Sequence, residues 1–192
     1  MLEIFVITYN RSEFLEKTLM YLKDSKFSNF QITIQNNCST DDTVEVFHSF
    51  QTNYGKSFQS LKLITNLFNF GPNVNFLKAI ELSQSKYTWV LCDDDVINAL
   101  DIDDVLKIID EENFDLIHVG AHPEKERFIF ELKETPRKLI EKGYRYFAYC
   151  SFMPCNIFKT ELFQNQFLIS GYNNVANAYP HMPYLFDVFL KD

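Results

Sequence analysis

The chain has 192 residues, 46% of them hydrophobic, which is enough to bury one sizeable core, so a single soluble globular domain is the expected organisation. Its 26 acidic and 18 basic side chains leave a formal charge of −8, which argues against a general nucleic-acid binder, because phosphate contacts need clustered Lys and Arg. No apolar stretch approaches the roughly 18 residues of a membrane span, and Met1 leads straight into a strand-like segment rather than a signal peptide, so a cytoplasmic setting is expected.

In chain order, residues 2–8 (LEIFVIT) are short, apolar and partly β-branched, as a strand buried on both faces should be. Asn10 or Ser12 is expected to cap a helix over residues 12–24, where Phe14, Leu15, Leu19 and Leu22 recur at helical spacing. Residues 30–35 predict a second strand. Ser39 followed by Asp42 resembles a capping box that opens a helix running to about residue 50. A third strand, 61–65, leads through the loop 66–71 to Pro72, which suits a first helical turn because its missing N–H would be unpaired there anyway. Val74, Leu77 and Ile80 give that helix an apolar stripe, and residues 87–92 predict a fourth strand. Asp101 can cap a helix to about residue 112, with Asp103 and Asp104 favoured in its first turn by the helix dipole. Further strands are expected at 114–119 and 127–132, a helix at 135–149, an edge strand at 156–158, a short helix from Thr160, a polar loop at 171–179 and an apolar helix from His181.

Alternating strands and helices imply an α/β fold, a mostly parallel sheet with helices on both faces, because parallel strands require crossovers. Ligands of such sheets collect at the carboxyl ends of strands. Thr8-Tyr9-Asn10, Asn36-Asn37, Asn69-Phe70-Gly71 and Asp93-Asp94-Asp95 all fall at or just beyond strand ends, so the fold should gather them on one rim. The three adjacent carboxylates oppose one another's ionisation unless a proton or a cation relieves them. Hard divalent ions, Mn²⁺ or Mg²⁺, bind through one or two carboxylates plus substrate phosphates, which this tip would suit; the alternative is an acidic loop fully exposed to water. Cys38, Cys92, Cys150 and Cys155 have no CxxC spacing and predict neither a disulfide nor zinc. His118 and His122 have the i, i+4 spacing that chelates metal on a helix, but in a strand those positions stand roughly 13 Å apart, so both are assigned to packing or loops. His48 is expected on a helix surface.

Four segments in order resemble the nucleotide-diphospho-sugar glycosyltransferases of the GT-A fold, particularly the inverting family 2 group. Val6-Ile7-Thr8-Tyr9-Asn10-Arg11 is similar to the family's first strand and nucleotide loop, and Asn36-Asn37-Cys38-Ser39-Thr40-Asp41-Asp42-Thr43 to its second loop. Asn69-Phe70-Gly71 with Asn75 resembles the third, and Trp89-Val90-Leu91-Cys92-Asp93-Asp94-Asp95 the DXD segment. The resemblance implies one catalytic domain, residues 1–100 forming a donor half and 101–192 an acceptor half. It implies that Thr8 and Tyr9 line the base and ribose pocket and that Arg11 helps hold the nucleotide. Asn10, Asn36, Asn69, Asp93 and Asp94 complete the implied donor-binding set. Asn36 stands where the family usually has an Asp, so uracil or thymine would be read through the amide carbonyl, and UDP or dTDP sugars are favoured. Asn69 and Asn75 would fix the third loop rather than contact phosphate.

Alternate residues of an extended segment share a face, so Asp93 and Asp95 are expected to point together as the metal set, with Asp95 the principal ligand and Asp94 turned away. Inversion also needs a base for the acceptor hydroxyl. The family's acidic pair falls here at Pro180-His181, so the expected base is His181, whose ordinary pKa suits the task, with Asp187 as its rival. The implied acceptor is a glycan or lipid-linked glycan of a bacterial surface polysaccharide, with peripheral contact at the inner membrane. The end at Asp192, inside an apolar helix pattern, suggests a fuller enzyme with a further C-terminal region. Two other classes compete. A nucleotidyltransferase would ordinarily bring a glycine-rich phosphate loop, and no glycine precedes Gly55; a non-catalytic sugar-nucleotide-binding module fits the departures at Asn36 and His181.

Overall fold

The computed structural model of the chain describes residues 2–95, 102–111, 113–119, 134–141 and 145–189. Strands β1 (Leu2–Thr8), β2 (Gln31–Asn36), β3 (Ser60–Thr65), β4 (Tyr87–Cys92), β5 (Leu116–His118) and β6 (Asn156–Lys159) form one sheet in the order β3-β2-β1-β4-β6-β5. The first four are mutually parallel, and β6 runs antiparallel to both β4 and β5. Helices α1 (Ser12–Lys23), α2 (Thr43–Tyr54), α3 (Pro72–Leu82), α4 (Ile102–Glu111), α5 (Pro136–Glu141), α6 (Tyr146–Cys150), α7 (Gln166–Asn173) and α8 (Met182–Phe189) cover it.

Side chains of β1 alternate between the faces and divide the core in two. Ile4 and Val6 join Leu15, Leu19 and Leu22 of α1, Phe47 and Phe50 of α2 and Ile102, Val105 and Ile109 of α4. Phe5 and Ile7 face the other way, onto Phe76, Leu77 and Ile80 of α3, Phe167 and Leu168 of α7 and Leu185 of α8. Burying each of these side chains contributes about 1.5–3 kcal/mol, so the leucine stripe of α1 alone fixes that helix against the sheet. On the opposite face α7 lies so close to α3 that a Cβ on Gly171 would stand 2.6 Å from Leu77 Cδ2. Any side chain there would force the buried Leu77 to shift.

The first four strands and their helices fall where the hydrophobic pattern puts them. Three later expectations need correction. Residues 156–159 are not an edge strand: β6 sits between β4 and β5, with Trp89 opposite Ile157 and His118 opposite Asn156. The expected helix 135–149 is two short helices, α5 and α6, and the expected polar loop at 171–179 begins inside α7. The strand expected at 127–132 lies outside the described residues, as does His122. His118 is half-buried on β5 with Nδ1 3.4 Å from Asn156 Oδ1, a packing position as expected. His48 is exposed on α2.

Candidate donor site at the carboxyl edge of the sheet

Parallel register brings the strand ends level. Thr8 pairs with Asn36, Asn36 with Thr65 and Ile7 with Cys92, so Asp93 emerges beside Thr8. The ladder continues one step into the loops, where Asn37 N–H donates to Thr8 C=O and Asn66 N–H to Asn36 C=O, each at 2.9 Å. Four loops separated by up to 85 residues therefore meet on one rim.

Thr8, Arg11, Asp93 and Asp94 are joined directly. Thr8 Oγ1 donates to Asp93 Oδ2 at 2.6 Å, and the Arg11 guanidinium bridges Asp93 Oδ1 at 3.0 Å and Asp94 Oδ2 at 2.8 Å. Thr18, on the inner side of α1, donates to the Asp93 carbonyl at 2.7 Å. Asp93 is only 2% exposed, while Asp94 is 46% exposed. Burial raises the Asp93 pKa above the ordinary carboxylate range, an effect opposed by the Thr8 hydroxyl and the Arg11 charge and reinforced by Asp94. The Arg11 pKa is raised in turn, chiefly by its bond to Asp94.

The three acids are not arranged as an extended strand would arrange them. Asp95 N–H donates to Cys92 C=O at 3.2 Å and Cys92 N–H donates to Asp95 Oδ2 at 2.6 Å, which closes a turn over residues 92–95. The alternation rule ends with the strand, so Asp93 and Asp94 reach the same guanidinium instead of opposite faces. Burial raises the Asp95 pKa, opposed by the Cys92 N–H and reinforced by Asp94. Burial and then the three neighbouring carboxylates push the Cys92 thiol up to about 12, so it stays neutral.

The two loops beside this cluster are laced together. Asn10, in the left-handed region at φ 52°, takes the Thr40 N–H on its side-chain carbonyl at 2.7 Å, and its own N–H donates to Ser39 Oγ at 2.9 Å. Helix α1 is capped neither by Asn10 nor by Ser12. Asp41, in the neighbouring loop, accepts Ser12 N–H on one oxygen at 3.0 Å and Thr43 N–H on the other at 3.1 Å, so one carboxylate serves the first turns of both α1 and α2. Burial alone would raise its pKa, yet these hydrogen bonds outweigh it and hold it below the usual range. The expected capping role of Ser39 is therefore corrected, since its hydroxyl is spent on Asn36.

Asn36 is fully buried and its amide orientation follows from its partners. Ser39 N–H donates to Asn36 Oδ1 at 3.0 Å, and a backbone N–H can only donate, so the carbonyl expected to read a base is committed inside the loop. Beside it lies a network of amides, with Asn37, Asn66 and Asn75 buried and Asn69 exposed. Asn37 donates to Asn69 Oδ1 and Gly71 C=O and accepts from Asn66 Nδ2 and Phe70 N–H, and Asn66 also donates to Asn75 Oδ1. Asn69 and Asn75 thus fix the third loop, as expected. Tyr9, at the end of β1, is 40% exposed.

His181 is a correction. It is 0% exposed, with its ring 5.6 Å from that of Phe76 and its Nε2–H donated to Cys150 C=O at 2.9 Å. Burial lowers its pKa. Placed so, the imidazole exposes no surface to an acceptor hydroxyl. On α8, which begins at the next residue, Met182 and Leu185 are buried and Asp187 is exposed to solvent.

The residues present fit a hard cation: adjacent carboxylates, Asp93 buried and Asp95 half-buried, with Arg11 paired to Asp93 and Asp94. Among the described residues no group of three or more His, Cys, Asp or Glu side chains is placed to hold a metal by itself. Mg²⁺ sites built on one or two carboxylates are usually completed by phosphate oxygens and water. No helix among the described residues is long and apolar enough to cross a membrane.

Abequosyltransferase RfbV of Salmonella typhimurium is 34% identical over 92 residues, which cover 47% of this chain and 27% of that protein. The structure of TarS residues 1–349 from S. aureus superimposes with a TM-score of 0.67 at 21% identity, covering 86% of this chain and 48% of TarS 1–349. The mannosyltransferase PcManGT from Pyrobaculum calidifontis, solved with GDP-Man and Mn²⁺, gives a TM-score of 0.61 at 14% identity over 86% of this chain and 46% of that one. The chain thus spans about half the length of these structural neighbours and shares their GT-A fold. The family model of glycosyl transferase family 2 matches residues 3–168, and the chain belongs to that family.

Proposed function

We propose that this chain is a catalytic domain that transfers a sugar, with inversion and with the help of a divalent cation, from a nucleoside-diphosphate donor to a glycan or lipid-linked acceptor. The observation that carries this reading is the buried Asp93, held by Thr8 and Arg11 where β1 and β4 end side by side. TarS has been solved with UDP-GlcNAc and PcManGT with GDP-Man and Mn²⁺, which supports a sugar nucleotide and a metal as the ligands of the corresponding edge here. Residues 1–100 form the donor half and 101–192 the acceptor half. The destination is a bacterial surface polysaccharide, made at the cytoplasmic face of the membrane.

In this reading the exposed ring of Tyr9 stacks against base or ribose, and Asn36 acts indirectly by fixing the loop beside it. Asp95 is the principal ligand of Mn²⁺ or Mg²⁺, with Asp93 orienting ribose or a metal-bound water. A cation held there would neutralise the charge that builds on the departing nucleoside diphosphate. Arg11 supplies a planar guanidinium matched to phosphate oxygens. The base for the acceptor hydroxyl is Asp187, whose carboxylate reaches solvent where the imidazole of His181 does not.

The test is transfer or donor hydrolysis with UDP-, dTDP-, GDP- and CMP-sugars, with and without Mn²⁺. Release of the nucleotide leaving group that depends on Mn²⁺ is expected, and Asp95→Asn should abolish it while leaving the melting temperature within a few degrees. Asp187→Asn should lower kcat by at least about a hundredfold with little change in donor KM, the range for a general base. Release of pyrophosphate would identify nucleotidyl transfer instead. Metal-dependent binding with no turnover would leave a sugar-nucleotide-binding module.

A further inference from the structure

Arg11 holds a position that the proposed chemistry requires to be vacated. Its Nη1 lies 3.0 Å from Asp93 Oδ1 and its Nη2 2.8 Å from Asp94 Oδ2, while its guanidinium carbon stacks 4.3 Å above the Phe14 ring. The other oxygen of Asp93 is engaged by Thr8 at 2.6 Å. Both oxygens of the buried carboxylate are therefore occupied, one of them by a positive charge. The anchor of this arm is rigid, because the Arg11 carbonyl begins α1 by accepting the N–H groups of Phe14 and Leu15, each at 3.0 Å. Its free end is not, since the side chain is 37% exposed and one of its two partners, Asp94, is 46% exposed.

Resting on the donor-and-metal reading above, we propose that Arg11 is a resident counter-ion that closes the acid tip to a bare divalent cation and releases it when a nucleoside diphosphate takes over the guanidinium. The charges require this order. A dication approaching Asp93 while Arg11 is in place meets a like charge within a few ångström, whereas a diphosphate offers the guanidinium the bidentate oxygen pair it now finds on two carboxylates. Once Arg11 turns to the phosphates, Asp93 loses its counter-charge, and a dication on the neighbouring Asp95 supplies it. Metal and nucleotide then bind with positive coupling, and the coupling is reciprocal. The stacking on Phe14 keeps the guanidinium at the rim during the exchange, so Arg11 acts as a positioning residue that changes partner.

Mn²⁺ binding read from the free-ion EPR signal tests this without turnover. In the wild-type chain Mn²⁺ alone should bind weakly, and UDP or GDP should tighten it. Arg11→Gln should bind Mn²⁺ alone about tenfold more tightly than wild type, and the tightening by either nucleotide should fall by at least about tenfold. A merely structural defect would weaken binding rather than strengthen it. Lys17→Gln is the control: Lys17 lies on the same helix with Nζ 5.6 Å from the Phe14 ring centroid, so it removes an equal charge nearby without touching Asp93. Its Mn²⁺ affinity should stay within twofold of wild type. Equal Mn²⁺ affinity in Arg11→Gln and wild type, or an equal gain in Lys17→Gln, overturns the counter-ion exchange and leaves the metal site standing. Absence of Mn²⁺ binding by wild type and Arg11→Gln, even with UDP and GDP present, overturns the metal reading and the exchange together.

Discussion

Thr8→Val isolates the hydrogen bond on which the donor edge is built. Valine keeps the β-branched shape that a buried strand end prefers but removes the only donor to Asp93 Oδ2 among the described hydrogen bonds, 2.6 Å away, in a place where Thr8 is 4% and Asp93 2% exposed. A hydrogen bond to a charged group contributes about 1.5–3 kcal/mol, and Arg11 still compensates the other oxygen, so the cost should be about 2 kcal/mol. For a chain of this size that corresponds to a fall of roughly 4–8 °C in Tm. The loss carries a pH signature. Burial already raises the folded pKa of Asp93 and the Thr8 hydroxyl opposes the rise, so the variant raises it further. A carboxylate with a raised folded pKa binds more protons folded than unfolded, so its contribution to stability falls as pH rises from about 4 through the folded value and is flat beyond. The deficit of Thr8→Val should therefore widen over that window and be constant at neutral pH. Urea unfolding of wild type, Thr8→Val, Asp93→Asn and the double variant at several pH values measures both parts. A cost below about 0.5 kcal/mol at pH 7, or no coupling between the two sites in the double-mutant cycle, would refute the claim that this bond holds the site.

Two further outcomes follow from the packing. Gly171→Ala should lose about 1–2 kcal/mol although alanine is the better helix former, because its Cβ would stand 2.6 Å from Cδ2 of the fully buried Leu77; urea midpoints at unchanged m check this, and a stabilised variant would contradict the close approach of α7 to α3. His181→Phe should keep transfer activity within about threefold, since the Cys150 carbonyl it leaves still accepts Asn156 Nδ2–H at 3.0 Å. Burial lowers the folded pKa of His181, so the wild-type chain should lose stability as pH falls below about 6.5, and the phenylalanine variant should lose that slope; a collapse of kcat would return His181 to the mechanism.

The parts of this molecule that the sequence makes legible are those in which local pattern and final environment coincide. Ile4, Val6, Ile32, Ile34, Val90 and Leu91 belong to strands buried on both faces, and continuous apolar runs announce such strands directly. Pro72 begins α3 because its ring suits a first turn wherever it occurs. Since four parallel strands end level, the rim needed only the strand boundaries, and Thr8, Asn36 and Asp93 could be assembled without tertiary information. Elsewhere the deciding contact is distant in the chain. Asp41 takes the place of Asn10 and Ser12 as the cap of α1 because the fold sets its carboxylate beside the Ser12 N–H, 29 residues away. The position of β6 beside β4 depends on an antiparallel pairing with residues about 70 earlier in the chain, which local periodicity does not encode.

The two errors that bear on chemistry have a common cause, the inference of a side chain's environment from its chemical type. An imidazole suits a base near neutrality, but Pro180, Met182 and Pro183 flank His181 with apolar groups, and that was the available signal for an interior position. At the acid tip, alternation assumed that the strand persists past Cys92. Three adjacent carboxylates work against that extension, because only a turn lets Arg11 reach two of them while the third takes a backbone N–H. The turn therefore gives each of the three acids a partner within the chain. On the proposed reading, donor binding would have to displace Arg11 from Asp93 and Asp94.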